Sequence, residues 1–243
     1  MHIPVITLDG PAASGKGTVA KRVAIALGWH YLDSGALYRL TGLAARQAGI
    51  AADDVARLTP LAQTLDIAFT DEGILLGGVD VSEAIRGEEI GEAASKIATI
   101  PGVRAALLQR QRDFRQAPGL VTDGRDMGTV VFPDATLKVF LTAGVETRAQ
   151  RRARQLAIDP DAPDDTTAKR LISKENYDNL VALFRKELQT VLTDLKARDA
   201  RDSARSVAPL QAALDAKLLD TTSLSIHQAA DQVLSWFEEQ ERA

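Results

Sequence analysis

A glycine-rich loop between a predicted strand and a predicted helix limits the fold of this chain more than any other feature. The apolar run at residues 5–8 predicts the strand, and Val19, Val23 and Leu27 share one face of the helix. The loop between them consists of Gly10, Pro11, Ala12, Ala13, Ser14, Gly15, Lys16, Gly17 and Thr18. Glycines allow backbone N–H groups to point inward, and the helix N-terminus attracts an anion through its dipole. The pattern predicts a phosphate-binding loop within an α/β fold.

The end of this loop departs from the common pattern. Lys16 is placed to bridge the β- and γ-phosphates of a nucleotide, but Gly17 stands where Ser or Thr usually follows the lysine. Because Thr18 comes one place late, we expect water and nucleotide oxygens to hold Mg²⁺, and we assign no protein ligand to the metal. An ordinary glycine-rich turn is the structural alternative. The sequence also lacks an Asn-Lys or Thr-Lys pair for reading guanine, which disfavours GTP switching.

Four more apolar runs predict further strands, at residues 30–32, 120–122, 137–141 and 218–220. Helical patterns separate them, and the last helix is predicted to begin with a capping box at Ser225. Strands that alternate with helices form a parallel sheet covered on both faces. We therefore predict a doubly covered parallel sheet.

Two segments fall outside this alternation. One contains a predicted hairpin at residues 66–78, followed by two helical stretches that break at Pro101 and Gly102. The other begins with the proline- and aspartate-rich residues 159–167, which we expect to be mobile. It continues at residues 177–195 with apolar side chains at gaps of three and four, which predict a long amphipathic helix.

Charge and composition exclude several classes of protein. The formal net charge is −4, from 29 Lys and Arg against 33 Asp and Glu, which argues against a dedicated partner of nucleic acids or membranes. Arginines nevertheless cluster at residues 104–115, 146–154 and 196–205, which favours a small phosphorylated ligand. The absence of cysteine rules out disulfides and thiolate chemistry. With no signal peptide and no apolar run of about 18 residues, we expect a cytoplasmic protein and a monomer.

Three further motifs carry a resemblance to a known family. Residues 32–39 are Leu-Asp-Ser-Gly-Ala-Leu-Tyr-Arg, and residues 198–205 are Arg-Asp-Ala-Arg-Asp-Ser-Ala-Arg. Residues 123–134, Asp-Gly-Arg-Asp-Met-Gly-Thr-Val-Val-Phe-Pro-Asp, are the most specific of the three. Together with the Lys-Gly-Thr ending of the loop, they resemble the bacterial type of cytidylate kinase, a family of nucleoside monophosphate kinases, over nearly the whole chain.

The resemblance implies a P-loop kinase fold with a five-stranded parallel sheet. The core would comprise residues of about 1–59, 117–149 and 198–243, with a monophosphate-binding insert at about 60–116 and a lid at about 150–197. This lid is longer than the family's usual one. The implied activity is Mg-ATP-dependent phosphoryl transfer to CMP and dCMP, giving CDP or dCDP and ADP.

The resemblance also assigns residues to the site. The substrate-binding set consists of Ser34, Tyr38, Arg39, Ser95, Arg104, Arg125, Asp126, Arg198, Asp202 and Arg205. The catalytic set consists of Lys16, Arg125, Asp126, Arg151 and Arg152.

Within these sets the resemblance gives separate roles. Ser95, Arg104 and Asp126 would face cytosine, and Arg198 with Asp202 would meet the ribose hydroxyls.

The remaining residues would contact phosphate or line the acceptor site. Ser34, Tyr38 and Arg39 would line the acceptor site, with Arg39 near the CMP phosphate. Arg125 and Arg205 would hold that phosphate, and the lid-base residues Arg151 and Arg152 would reach the transferring phosphoryl group.

The chemistry of cytosine agrees with these roles. A carboxylate at Asp126 and a guanidinium at Arg104 complement its amine donor and ring acceptors, whereas uracil reverses two of those groups. Alternatives stay open: Asp202 and Arg198 could form a helix-surface ion pair, and Tyr38 could be core packing. At the level of function, the alternatives are a UMP or AMP kinase, a nucleotide-driven switch and an inactive scaffold.

Overall fold

The computed structural model describes residues 3–70, 73–156 and 174–242. The strands in these ranges are β1 (Val5–Asp9), β2 (His30–Asp33), β3 (Ile67–Phe69), β4 (Ile74–Leu76), β5 (Val79–Asp80), β6 (Leu120–Gly124), β7 (Leu137–Thr142) and β8 (Lys217–Asp220). The α-helices are α1 (Lys16–Leu27), α2 (Ser34–Gln47), α3 (Val55–Thr64), α4 (Glu88–Ile97), α5 (Pro101–Arg112), α6 (Val145–Gln155), α7 (Lys174–Ser203) and α8 (Ile226–Glu241). A 3₁₀ turn spans Ala84–Arg86, and a π-helical turn spans Met127–Val131.

Five strands form one parallel sheet in the order β2-β6-β1-β7-β8, which confirms the predicted fold class. The central strand β1 is buried along its whole length. Its last residue, Asp9, pairs in register with Gly124 of β6 and Phe140 of β7. The register therefore brings the carboxyl ends of three strands to one edge of the sheet.

Side chains alternate between the two faces of β1, as a strand buried on both sides requires. Ile6 and Leu8 pack in the core that α1 and α8 cover, whereas Val5 packs with Phe132 on the other face. Helix α1 ends at Gly28, whose φ of 65° a residue with a side chain rarely adopts. Helix α8 begins with the predicted capping box, because Ser225 and Gln228 each cap the other's backbone N–H.

A second, three-stranded antiparallel sheet in the order β3-β4-β5 lies within the predicted insert. The hairpin predicted at residues 66–78 is confirmed. Strand β5 was not predicted, because its two residues carry too little pattern. Helix α3 was not predicted either, since it contains Pro60, a residue that normally ends a helix. Pro101 begins α5 and does not lie between the two helices.

Helices α6 and α7 fall largely within the predicted lid. The predicted amphipathic helix is part of α7, which has 30 residues. Its Val191 and Leu195 pack against Ala149 of α6 and Ala12 of the phosphate loop. The segment 159–167 that was predicted to be mobile lies outside the described residues. Across the ranges described, no helix combines the length and apolar character that a membrane span needs.

Candidate active site

A cavity of about 500 Å³ opens at the carboxyl ends of β1, β2 and β6. Helices α2, α4, α6 and α7 complete its walls. The predicted site residues that line it are Ala12, Ala13, Gly15, Lys16, Gly17, Thr18, Ser34, Tyr38, Arg39, Ser95, Arg104, Arg125, Asp126, Arg152, Arg198, Asp202 and Arg205. The structure thus brings together residues from four separate motifs.

Four predicted residues do not line the cavity. Gly10 lies beneath the loop, where an added Cβ would come within 2.2 Å of the carbonyl oxygen of Leu141, so no side chain fits. The Pro11 carbonyl accepts a hydrogen bond from Lys16 Nζ at 3.3 Å. Ser14 is buried, and its carbonyl oxygen accepts from Arg151 at 3.1 Å.

Arg151 is directed to the backbone around the loop. Besides Ser14, its guanidinium donates to the hydroxyl of Thr221 at 3.0 Å and to the Thr221 carbonyl at 2.6 Å. These contacts tie the phosphate loop to the end of β8. Its predicted contact with the transferring phosphoryl group therefore stays a prediction, whereas Arg152 does line the cavity.

Lys16 lies among charges of both signs. Burial lowers the pKa of its ammonium to about 7, and the neighbouring Arg125 acts in the same direction. Asp123 and Asp33 oppose that change. A polyphosphate anion favours the charged form of the lysine, so the loop fits such a ligand.

Asp33 and Asp123 were quoted within motifs but were not predicted as site residues. They are the last residue of β2 and its direct partner in β6, and both line the cavity. Burial and the nearby Asp33 raise the pKa of Asp123 to about 7, although Tyr31 donates a hydrogen bond to it at 2.8 Å. Each carboxylate directly follows an apolar run that predicts a strand, and this position is the signal that could have singled it out. This oxygen-rich pair suits a divalent cation.

Arg148 was another omission of the sequence analysis. Its buried guanidinium donates to the carbonyl of Ala12 at 3.2 Å and pairs with Asp199 at 2.7 Å. It therefore joins the phosphate loop to α6 and α7. Only its place in an arginine cluster distinguished it in the sequence.

Another part of the cavity is built around a buried ion pair between Arg104 and Asp126. Arg104 also donates to the carbonyl of Ala98 at 3.2 Å, and its guanidinium carbon lies 5.8 Å from the ring centroid of Tyr38. Burial raises the pKa of Asp126, although Arg104 and Arg205 favour its charged form. Tyr38 both packs in the core and lines the cavity, and burial raises its pKa to about 12.

Asp202 forms the centre of a second charged group. It accepts from Arg125 Nε at 2.8 Å and also pairs with Arg205. Burial alone would raise the pKa of Asp202, but the two arginines hold it below its ordinary value. Because Asp202 is 1% exposed, the alternative of a plain surface ion pair is wrong.

Three further arginines line the cavity beside this group. Within the described part of the chain, the buried Nε of Arg198 has no hydrogen-bond partner, and burial lowers the pKa of Arg198 to about 9 with Arg125 acting the same way. Arg39 donates to the carbonyl of Ile85 at 2.8 Å. Arg152 pairs with Glu88 at the start of α4. The cavity is thus lined by equal numbers of cationic and carboxylate side chains, and the arginines among them suit phosphorylated ligands.

Comparison with known proteins identifies the family of the chain. The family model for cytidylate kinase matches residues 6–178 and 161–239. A cytidylate kinase of Chromobacterium violaceum is 56% identical over 241 residues, which cover 99% of this chain and 98% of that protein. A cytidylate kinase of Burkholderia cenocepacia is 53% identical over 234 residues, which cover 96% of this chain and 92% of that protein. The crystal structure of TT1252 from Thermus thermophilus, at 18% identity over 99% and 98% of the chains, has a TM-score of 0.44, too low to argue a shared fold.

Proposed function

The chain is a phosphotransferase that belongs to the cytidylate kinase family, and we propose that it transfers the γ-phosphoryl group of Mg·ATP to CMP or dCMP in the cavity described above. The products are ADP and CDP or dCDP. One observation carries the proposal: the phosphate loop with Lys16 and the buried Arg104–Asp126 pair face the same cavity of about 500 Å³. A triphosphate donor and a pyrimidine acceptor can therefore meet in one space.

ATP occupies the end of the cavity at the phosphate loop. Backbone N–H groups of the loop and the N-terminus of α1 bind its phosphates, and Lys16 adds a positive charge. In place of the expectation that no protein group binds the metal, Asp33 and Asp123 would hold Mg²⁺, because a cation would offset the repulsion from Asp33 that, together with burial, raises the pKa of Asp123. When bound, the metal supplies charge neutralisation at the transferring phosphates.

CMP occupies the opposite end. Asp126 accepts from the exocyclic amine of cytosine, and Arg104 donates to a ring acceptor, with Ser95 beside them. Asp202 and Arg198 bind the ribose hydroxyls.

Arginines supply the remaining contacts. Arg39, Arg125 and Arg205 hold the CMP phosphate, and Ser34 lines the same wall. Arg152 is the lid arginine that the geometry favours for the transferring group, because it lines the cavity.

No strong general base is needed for this transfer. The nucleophile is an oxygen of the CMP phosphate, which is already largely ionised near neutral pH because its second pKa is about 6. Catalysis then depends on in-line positioning and on stabilising charge as the phosphoryl group moves. The Lys16 ammonium and the arginines of the cavity do both.

The same proposal covers the organisation of the chain. Residues of about 60–116 form a monophosphate-binding insert, and residues of about 150–197 form a lid that excludes water from the γ-phosphate. The acidic net charge supports a protein without nucleic-acid or membrane partners. We place it in the cytoplasm as a monomer.

ADP release with Mg·ATP and a panel of acceptors tests the function. CMP and dCMP should support rapid turnover, and UMP, AMP and water should support little. Asp126→Asn should reduce the preference for CMP over UMP by about 30-fold, because a charge-assisted hydrogen bond is lost. Asp113→Asn at the exposed end of α5 is the matched control and should keep the preference.

The panel separates the alternatives. Equal turnover on UMP would retain the kinase and remove the roles of Asp126 and Arg104 in selection. Fast turnover on AMP would reassign the acceptor. ATP loss without any acceptor would favour a nucleotide-driven switch, and no ADP in any arm would favour a scaffold.

A further inference from the structure

Asp9 is a buried carboxylate that the proposed mechanism does not use. It ends β1 directly before the phosphate loop and is 5% exposed. Its two carboxylate oxygens accept hydrogen bonds from the backbone N–H groups of Met127 at 2.9 Å and Gly128 at 2.8 Å. Both oxygens are therefore engaged by the two residues that follow Asp126.

These contacts constrain the backbone on one side of Asp126. On the same side, the carbonyl oxygen of Asp126 accepts from Val130 at 2.9 Å and Val131 at 3.2 Å, which closes the π-helical turn. The turn lies close against β1, because a Cβ on Gly128 would come within 2.8 Å of the Thr7 hydroxyl. The orientation of Asp126 toward Arg104 thus depends on a turn that Asp9 anchors to the central strand.

Holding the Asp9 carboxylate at this position removes its charge from water, which is unfavourable. Burial raises the pKa of Asp9 to about 6, and the nearby negative charge of Asp126 acts in the same direction. The hydrogen bonds from Gly128 and Met127 lower the pKa and partly offset this. A neutral amide would avoid the cost of burial but has only one accepting oxygen, so it could not offer each N–H group an oxygen of its own.

We propose that Asp9 is a positioning residue for base selection, which acts through the N–H groups of Met127 and Gly128 to hold Asp126 against Arg104. The inference rests on the proposed function, in which Asp126 and Arg104 face cytosine. Asp9 does not touch the base. It sets the direction from which the Asp126 carboxylate meets the cytosine amine.

Steady-state kinetics of Asp9→Asn test this, with CMP and UMP as acceptors at saturating Mg·ATP. Asparagine keeps one accepting oxygen and turns an NH₂ toward the second N–H group, so the turn loses one anchor. We expect the KM for CMP to rise about tenfold and the ratio of kcat/KM for CMP over UMP to fall about tenfold. The KM for ATP should stay within about twofold.

Asp80→Asn is the control, since Asp80 also accepts from a backbone N–H group, that of Ser82 at 2.8 Å, but lies in the insert sheet. It should leave both selectivity and KM for CMP unchanged. If the wild type prefers CMP over UMP and Asp9→Asn prefers it equally, the inference about Asp9 is overturned and the proposed base recognition is not. A wild type that does not prefer CMP overturns the proposed base recognition and this inference with it.

A folding defect is separated from a positioning defect by calorimetry. If Asp9→Asn unfolds below the assay temperature, Asp9→Ser replaces it, because serine keeps one accepting oxygen without the opposing NH₂ group. The same tenfold loss of selectivity is expected for that variant. A uniform fall in kcat with selectivity retained would show a merely structural role and would overturn the inference.

Discussion

The two ends of the cavity are built in opposite ways. The donor end is formed by the phosphate loop, Gly10 to Thr18, of which six residues line the cavity, and in the proposed function it binds ATP through backbone N–H groups and one lysine. The acceptor end is assembled from side chains of α2, α4, α5, β6 with its following turn, and α7. There, buried arginines and carboxylates partly neutralise one another before any substrate binds.

This difference separates two physical strategies. Backbone N–H groups are neutral and are fixed by the fold, so a loop can bind phosphate without burying many charges. Buried ion pairs must recover the cost of removing each charge from water, which they do only in good geometry. The phosphate loop should therefore tolerate changes to its side chains except Lys16, provided that its glycines are kept, and the acceptor end should tolerate few changes of charge.

The largest effect should come from the one essential side chain of the donor end. Lys16→Met should lower kcat by about 10⁴-fold, because the transferring phosphoryl group loses a cation beside it. Stopped-time ADP assays measure the change, and calorimetric titration with CMP should give a nearly unaltered Kd. Lys21→Met, on an exposed face of the same helix, is the control. A parallel loss of CMP affinity in Lys16→Met would show that the two ends do not act separately.

At the acceptor end, the effect should fall on stability first. Asp202→Asn leaves Arg125 and Arg205 as buried cations without their shared carboxylate, so we expect a loss of about 4 kcal/mol in the free energy of unfolding. Urea denaturation measures it. Asp178→Asn, exposed on the same helix, should change the free energy by less than about 0.5 kcal/mol. Equal stability of the two variants would mean that substrate, not Asp202, is what balances the arginines.

Asp9 lies between the two ends and should affect the pH dependence of stability. Because burial raises its pKa from 3.8 to about 6, the folded chain binds a proton between those pH values that the unfolded chain does not. This group therefore lowers stability as the pH rises from 4 to 6. Asp9→Asn removes that trend, so its free energy of unfolding relative to the wild type should increase by at most about 3 kcal/mol between pH 4 and 7. Urea titrations of both proteins at the two pH values measure it, and parallel curves would contradict it.

The sequence predicts the donor end and the core sheet because both depend on short, contiguous patterns. Gly10 to Thr18 lie between one strand and one helix, and each core strand contains a short, mostly apolar run. By contrast, Asp33 and Asp123 become neighbours only through the pairing of β2 with β6, about which neither strand's own pattern is informative. Asp9 escaped notice for the same reason, since its partners lie 118 and 119 residues away.

Other omissions have local causes. Helix α3 was not predicted because it contains Pro60, and proline normally interrupts a helix but is tolerated inside this one. The orientation of Arg151 toward Thr221 depends on where β8 ends beside the loop, which no spacing in the sequence encodes. The resemblance supplied the acceptor-site residues that spacing alone would not have gathered.

Helix α7 gives the molecule a long lever arm. Its 30 residues span about 45 Å, and Asp202 near its last turn is secured by Arg125 and Arg205. A tilt of about 10° around Asp202 would carry Lys174, 28 residues away, through about 7 Å. The chain has no cysteine, so single cysteines introduced near Lys174 and in the core sheet could be labelled as a dye pair without background. Small rotations at the arginine end would then be measurable as large changes of distance at the other.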